Sequence, residues 1–590
     1  LFFETRHSVG ERSRWKISSF RKLEIEPSKN DFMKIKKLSI VLFLAAVFFS
    51  VVYAQISVDP ADEFYEDALR WHIRGIVSEL PQLKPYPQES IRRILSAVME
   101  SGDGEEAADA RRYYERMFGK AWHVSAEAKG ATLITRNGTT DKRDIDGQIF
   151  FSLHGGGDVL LPNGFGTGYR AGVSVKFIDT SSGVFKDAWA SPAYDTFIDT
   201  IDTGAAAIDF DADAIASYAN GKISLSAGYN RTGYTNYIDG GNILSPAAFN
   251  APQFSFSYDE RRFDFVQHFA ALRASDMLGK NGPYGKFLSF HALRFTLNKR
   301  MRFSYYDSVV YGKRFDPAYL IPLPAGLIAS ANGYDDNVIA GLLFEYNFFS
   351  GVSWLTDLSV NKLDIPQMAR LRFNADNRAA LKTGLSYAPK DSPCKLLAFS
   401  YTIISPYMYT SEETNGESYN YHSYTNWGRS IGQSLPPNSD RLSLKIKLEP
   451  TKSFTVSTFA SITRHANVYQ SYSGDELREM LSEGKRSTDG SINSQRYAST
   501  QFLSESYVMY IARGGVEVSY RFPRVKAGIF ELNGILSYTY INNAGMDTPM
   551  FPGATGVTTD AQFDALRTVW ENQLHDEYDI FFSLGVKWTY

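Results

Sequence analysis

The strongest constraint on this chain is a two-residue alternation that takes over at Ala121 and is plainest at its last segment, YDIFFSLGVKWTY. Tyr578, Ile580, Phe582, Leu584, Val586, Trp588 and Tyr590 take one side of that segment. Asp579, Ser583, Gly585, Lys587 and Thr589 take the other, with Phe581 as the one large apolar residue among them. A period of two sends successive side chains to opposite faces of a strand. KISLSAGY from Lys222, RLSLKIKLEP from Arg441 and GVEVSYRF from Gly515 repeat the pattern. Such strands suit a soluble sandwich with its apolar faces inside, or a membrane barrel with its apolar faces outside.

The front of the chain favours the barrel. Residues 33–54, MKIKKLSIVLFLAAVFFSVVYA, carry Lys34, Lys36 and Lys37, an apolar run and a small residue at Ala54. That is the layout of a secretory signal peptide, and cleavage is expected near Ala54. Residues 1–32 are read as an upstream-translated extension. No other run approaches the roughly 18 apolar residues of a spanning helix. Residues 55–120 have a different texture: Phe64, Leu69, Ile73 and Ile76, then Ile91, Ile94, Leu95 and Val98, then Glu105 to Phe118 suggest about three helices. They are expected to form a small periplasmic domain, as a cap, a plug or a docking module, ahead of a barrel at 121–590.

Links between the strands test the barrel independently, because outer-membrane barrels pair short periplasmic turns with long external loops. Reading back from Tyr590, long links at 543–576, 466–507, 407–440, 311–336, 276–287 and 230–251 alternate with the short PRVK, EPTK, APKDSP, LNKR, DERR and ANG. About eighteen strands result, an even number. The fold class expected is therefore all-β, a transmembrane antiparallel β-barrel of about 18 strands with a small N-terminal helical domain. Its expected location is the outer membrane of a diderm bacterium, with outer-membrane lipid and the barrel-assembly machinery as partners; the aromatic-ended last strand resembles the signal that such machinery reads. Aromatic residues at 14% suit the girdles of such a barrel, and a net charge of −3 argues against a nucleic-acid partner.

Motifs that resemble catalytic ones lack the required context. HGGG at His154–Gly157 and GRSIG at Gly428–Gly432 imitate an oxyanion motif and a nucleophile elbow, but an elbow needs a helix after its serine. Ser430 is followed by Pro436 and Pro437. The nine His residues have no ligand spacing, the one cysteine, Cys394, supports neither a disulfide framework nor a thiolate site, and no phosphate-binding or dinucleotide fingerprint occurs. The reading is non-enzymatic, without metal or cofactor. His291 shares a face with Leu293 and Phe295 and is expected at a membrane interface.

Polar and aromatic clusters fall in the external links: GYTNYIDGGNILSPAAFNAP, YGKRFDPAYLIPLPAGLIASANGYDDN and SPYMYTSEETNGESYNYHSYTNWG. Tyr and Trp faces beside Asp, Asn and His suit carbohydrate, which offers hydroxyls at its edges and C–H patches on its faces; equally, tyrosine-rich loops simply fold over a barrel mouth.

At these same loops the chain resembles the Wzi family of capsule-assembly outer-membrane proteins. GGNILSPAAFNAPQFSF is similar to that family's Leu-Ser-x-x-Ala-Pro segment, HALRFTLNKRMRFSYYDSVVYG to its His-Arg-Leu strand and Tyr-Gly element, with Asp307 at the acidic position, and GYDDNVIAGLLFEY to its Asp-Asn strand start. YTIISPYMYT and YNYHSYTNWGRSIGQSLPPNSDRLSLKI are similar to later stretches, and RWHIRGIVSELPQLKPYP to the helical opening. The resemblance implies an eighteen-stranded barrel with a periplasmic helical bundle that organises surface polysaccharide in a lectin-like way. With these loops at the outer rim, Asn242, Tyr311, Asp335, Asp336, Asn337, Tyr421 and His422 are the expected saccharide contacts. The alternative is a diffusion porin whose inward Lys445, Lys447, Glu517 and Arg521 set selectivity. The external segment 474–500, with GDELREMLSEGK inside it, has no functional reading.

Overall fold

The computed structural model describes residues 59–119, 122–178, 197–202, 207–237, 240–246, 248, 250–260, 262–276, 281–363, 366, 370, 377–411, 419–466, 501–504, 506–546 and 559–590. The expected signal segment 33–54, the preceding residues 1–32 and the whole 474–500 segment lie outside them.

Among the described residues eighteen antiparallel strands close into one barrel. They are β1 (His123–Asn137), β2 (Arg143–Leu160), β3 (Phe165–Ile178), β4 (Ala207–Ala219), β5 (Ile223–Asn230), β6 (Ala251–Asp259), β7 (Phe263–Asp276), β8 (Asn281–Asn298) and β9 (Met301–Gly312). There follow β10 (Asn337–Phe349), β11 (Val352–Lys362), β12 (Arg378–Tyr387), β13 (Cys394–Ile404), β14 (Ser439–Thr451), β15 (Phe454–His465), β16 (Met509–Arg521), β17 (Ile529–Ala544) and β18 (His575–Thr589). Each strand pairs with its successor, and β18 closes on β1 with Thr589 opposite Ser125. Each of the eighteen strands is thereby paired on both sides among the described residues, which is what a spanning sheet needs in hydrocarbon.

The final strand decides the polarity. Ile580, Phe582, Leu584 and Val586 are between 45 and 50% exposed, whereas Asp579 and Ser583 are 3% and 2% exposed. The apolar face points out and the polar face in, as in an outer-membrane barrel. Phe581, the exception in the alternation, turns inward onto Leu133 of β1. Ile149, Phe151, Leu225, Phe254, Val516 and Leu536 extend the outward apolar band, and Tyr346, Phe348 and Trp354 flank the turn at 350–351.

At one end of the barrel the turns are short, such as 220–222, 299–300, 350–351 and 452–453. The link expected at 276–287 is not long: β7 runs to Asp276 and β8 starts at Asn281. Gly285, at φ +111°, allows the register shift that carries the pair to the rim.

Three helices, α1 (Glu63–Ile73), α2 (Gln88–Ser101) and α3 (Gly104–Phe118), sit at the short-turn end. Asp62 and Asp103 cap α1 and α3 by accepting from the backbone N–H of Phe64 and Glu106. Phe64, Trp71, Tyr86, Leu95, Val98 and Tyr113 form the core of this unit. Inward charges of the barrel hold it in place. Arg302 donates to Ser78 O (2.6 Å) and Arg294 to Leu80 O (3.1 Å). His72 Nε2 lies 2.8 Å from Glu345, Arg231 lies 2.9 Å from Asp59, and Glu66 receives both Lys445 (2.7 Å) and Lys447 (2.9 Å).

Two long links fold into the barrel instead of standing over its mouth. Tyr234, Ile243 and Leu244 from one, and Met408, Tyr409, Tyr424, Ile431 and Leu435 from the other, pack on the inward Phe290, Tyr306, Ile339, Ala380 and Ile404. Leu83–Lys84, below, pairs with Gly233–Tyr234, above, so the two ends of the molecule meet inside the lumen.

The 313–336 link does the opposite and folds down over the outside of the wall. Its short helix α4 (Ala325–Asn332) and the turn Pro317–Leu320 cover the outward Val309 and Tyr311 of β9. Beneath this lid Asp307 Oδ1 accepts from the Ala325 N–H (3.1 Å) and lies 3.0 Å from His291 Nδ1, while Ser289 Oγ donates to Tyr319 O (2.6 Å). His291 thus shares the outward face read from the sequence, but it is buried under the lid and paired with Asp307 instead of lying at an interface.

Candidate functional site

The outer rim is built where the lid outside the wall meets the 419–424 segment inside it. Asp336, at the start of β10, has its carboxylate 1% exposed. It is held by the Arg314 guanidinium and by the Tyr319 hydroxyl (2.5 Å), with His422 Nε2 3.9 Å away. Burial pushes the His422 imidazole below its ordinary value, against the opposing pull of Asp336, so it is neutral at neutral pH. Arg314 lies 3.5 Å from the centroid of the Tyr334 ring, which is 43% exposed. Beside it Asn337 donates to His422 O (2.8 Å), and Lys313 sits 5.4 Å from the centre of the Tyr421 ring. Gly312 makes room for that ring, since a Cβ there would lie 2.5 Å from Tyr421 Cβ. The result is a rigid shelf with two partly open aromatic rings, two cations and the exposed Asp335.

Five of the seven expected contacts, Asp335, Asp336, Asn337, Tyr421 and His422, come together here. Two do not reach the rim. Asn242 is fully buried inside the lumen, its Nδ2 donating to Asp357 O (2.9 Å) and Ala380 O (3.2 Å) while its N–H donates to Asp357 Oδ2 (2.9 Å). It anchors an inward-folded loop. Tyr311 is fully buried between β9 and the lid, 4.8 Å from Tyr319 ring to ring. Both were placed at the mouth on the assumption that long links stand above it.

Of the four expected inward charges, three have structural partners. Lys445 and Lys447 do face inward but are paired with Glu66, and Arg521 lies 3.4 Å from Glu63 and 3.3 Å from Glu531. Glu517 faces the lumen and is exposed. Of the two hydrolase-like motifs, His154 pairs with Asp211 (3.0 Å). Ser430 sits in a two-residue strand, Arg429–Ser430, with no helix in the described residues 431–438, so no nucleophile elbow is formed.

Several rim residues were missed. Arg314, Tyr319 and Tyr334 complete the Asp336 shelf, and a second group stacks Arg273 at 4.8 Å from Tyr284 and 4.5 Å from Trp427. The signal available for them was an arginine within a link rich in tyrosine, the combination that favours cation–π stacking.

No protein-family model matches the chain, and no curated protein matches it. Among solved structures, Wzi, an outer-membrane protein involved in group 1 capsule assembly in Escherichia coli and described as a carbohydrate-binding β-barrel, is similar at 13% identity with a TM-score of 0.50, over 91% of this chain and 98% of that one. OprD of Pseudomonas aeruginosa aligns at 9% identity and TM-score 0.39, over 79% of this chain and 93% of that one. OccAB2 of Acinetobacter baumannii aligns at 11% and 0.38, over 79% and 98%. The architecture that the short loop motifs implied is thus present: this chain is a closed eighteen-strand outer-membrane-type barrel that shares the fold of Wzi.

Proposed function

We propose that the protein resides in the outer membrane and binds surface polysaccharide through its outer rim, organising the glycan without chemically altering it. The carrying observation is the Asp336 shelf, where Arg314, Tyr334, Lys313 and Tyr421 present open ring faces beside fixed charges. Rings give an apolar platform for the C–H face of a sugar, and the neighbouring donors and acceptors take its hydroxyls. Preorganisation by Asp336 lowers the ordering cost that flexible loops would otherwise bring. The likeness to a carbohydrate-binding barrel supports the same reading.

The test is saturable binding of detergent-folded protein to a panel of surface polysaccharides, including that of the source cell. Tyr334→Ala together with Tyr421→Ala is expected to abolish it with the barrel intact. Retained binding in that variant refutes the rim assignment. The rival diffusion channel is separated by conductance in planar bilayers. Packed loops in the lumen and helices at its base favour a low value, and a large steady conductance would restore the channel reading.

A further inference from the structure

The lid on the outer wall has two apolar faces. Ala325, Ile328 and Ala329 pack inward on Val309 and Tyr311, whereas Phe315, Leu320, Ile321, Leu323 and Leu327 are exposed, Leu327 at 67%. From Pro317 to Tyr334 there is no charged residue, in a chain of which 22% of residues are charged. Lys313, Arg314 and Asp316 stand just before that stretch, and Asp335 and Asp336 just after it. A loop standing in water has no reason to be written this way, and a contiguous exposed apolar patch marks a contact. Phe315 lies edge-on to Phe269 (5.8 Å) and Phe287 (6.0 Å), which makes the lid surface continuous with the outward apolar wall.

The height of the lid tells what the contact is. On β18 the outward rings of Trp588 and Tyr578 are ten positions apart. That is about 34 Å along a strand at ~3.4 Å per residue. At a tilt of roughly 40° it becomes about 26 Å in height, the extent of an outer-membrane apolar band. On β9, Met301 stands opposite Tyr346, one of the rings beside the short turn 350–351. Asp307 follows six positions later, which by the same geometry is about 15 Å up, inside the band. The Ala325 N–H, held by Asp307 Oδ1 (3.1 Å), therefore lies below the outer interface.

Backbone at that depth is tolerated only where the protein satisfies it. Three features of the lid serve that requirement. Pro317, Pro322 and Pro324 remove N–H groups outright. Ile321, Leu323 and Leu327 donate within the lid, to the carbonyls of Ala318 (3.0 Å), Ile321 (2.7 Å) and Pro324 (2.9 Å). Outward side chains of the wall meet further groups: besides Asp307, Ser289 Oγ (2.6 Å) and Gln267 Nε2 (3.3 Å) donate to Tyr319 O. Carboxylate and amide groups facing bare hydrocarbon would be costly. Under the lid they become its anchors.

We infer that the lid is inserted in the outer leaflet and that Ile321, Leu323 and Leu327 dock lipid acyl chains. In this sector a folded loop, and not a strand, makes the lipid contact, with the charges that flank it at the water interface. The inference stands on the outer wall and does not depend on glycan binding at the rim.

The test uses full-length protein folded into phosphatidylcholine vesicles. In a Cys394→Ser background, Leu323→Cys and Leu327→Cys are each labelled with an environment-sensitive fluorophore. Leu536→Cys in the lipid-facing band and Glu115→Cys on α3 give the lipid and water references. Lipid spin-labelled near its headgroup should quench both lid labels at least fivefold more than the Glu115→Cys label and within twofold of the Leu536→Cys label. Aqueous iodide should show the opposite order. Iodide quenching equal to that of the Glu115→Cys label overturns the inference and places the lid in water. Protection from both quenchers, with disulfide-linked dimers of unlabelled Leu327→Cys under mild oxidation, overturns it in favour of a second copy of the chain.

Discussion

Replacing Glu66 by Gln isolates the electrostatic hold of the helical unit on the barrel. Burial alone would raise the Glu66 carboxyl, yet Lys447 and Lys445 hold it down at about 2, against an ordinary 4.5. That difference corresponds to about 3 kcal/mol at neutral pH, the same order as losing one partner of a buried ion pair. Gln keeps the shape and leaves two lysines facing a neutral amide. The expected consequence is a roughly hundredfold larger opening equilibrium of α1 against the wall, since about 1.4 kcal/mol is tenfold. Native-state hydrogen exchange reads it directly: amides of α1 should exchange about a hundred times faster, with those of β16–β18 unchanged. A carboxyl held low in the folded state contributes stability that is complete above pH 4.5 and lost as pH falls toward 2. Wild-type protection of α1, corrected for intrinsic exchange, should therefore be level from pH 7 to 4.5 and decline below it, and this acid-dependent part should be reduced in Glu66→Gln. A change smaller than fivefold at neutral pH would refute the reasoning and move the hold to the Arg302, Arg294 and His72 contacts.

The other predictions concern the wall. Phe582→Arg, on the lipid face, should cost roughly 2–4 kcal/mol by urea unfolding in vesicles if its position is near the midplane, and a neutral result would contradict the outward assignment. Asp357→Leu removes the acceptor of the Asn242 N–H and of the Tyr306 hydroxyl. It should lower stability by about 1–3 kcal/mol for each group left unpaired, read as a lower melting temperature, with unchanged melting as the refuting outcome. Asp307→Leu unseats the Ala325 N–H, and trypsin should then cut at Lys313 or Arg314 sooner than in the wild type; equal cutting rates would mean that apolar packing alone fixes the lid.

Much of the barrel was legible because most strands have one face in lipid and one in a polar lumen, and that contrast writes a period of two. GVEVSYRF and the closing strand show it plainly. It fades in LSFHALRF, where Leu288, Ser289, Phe290, His291 and Ala292 are all buried. There the inward loops cover one face and the lid covers the other, so neither side needs to be apolar or polar by rule, and the rim end of β8 was misread as loop. The inward course of the loops was illegible for a related reason. Segments such as NILSPAAF and SPYMY carry apolar side chains that suit a mouth over sugar as well as a core inside a barrel, and only the wall opposite them, with Phe290 and Tyr306, tells which. Asp336 was found from its neighbours in sequence; Arg314 and Tyr319, which hold it, approach it only through the fold of the lid.

The lid also governs how freely the sequence can drift. Along β18, outward positions need only be apolar, so Ile, Leu, Val and Phe are interchangeable there at small cost, and alternate codons have room to wander. Along Leu288–Ala292 of β8 and the rim half of β9 there is no such register: Phe290 and Tyr306 are locked inside, while Ser289, His291 and Asp307 are locked outside by specific hydrogen bonds. A deep mutational scan should therefore show β18 as a striped pattern of tolerance and Leu288–Ala292 of β8 as one continuous intolerant block, because there the lid stands where lipid would otherwise be.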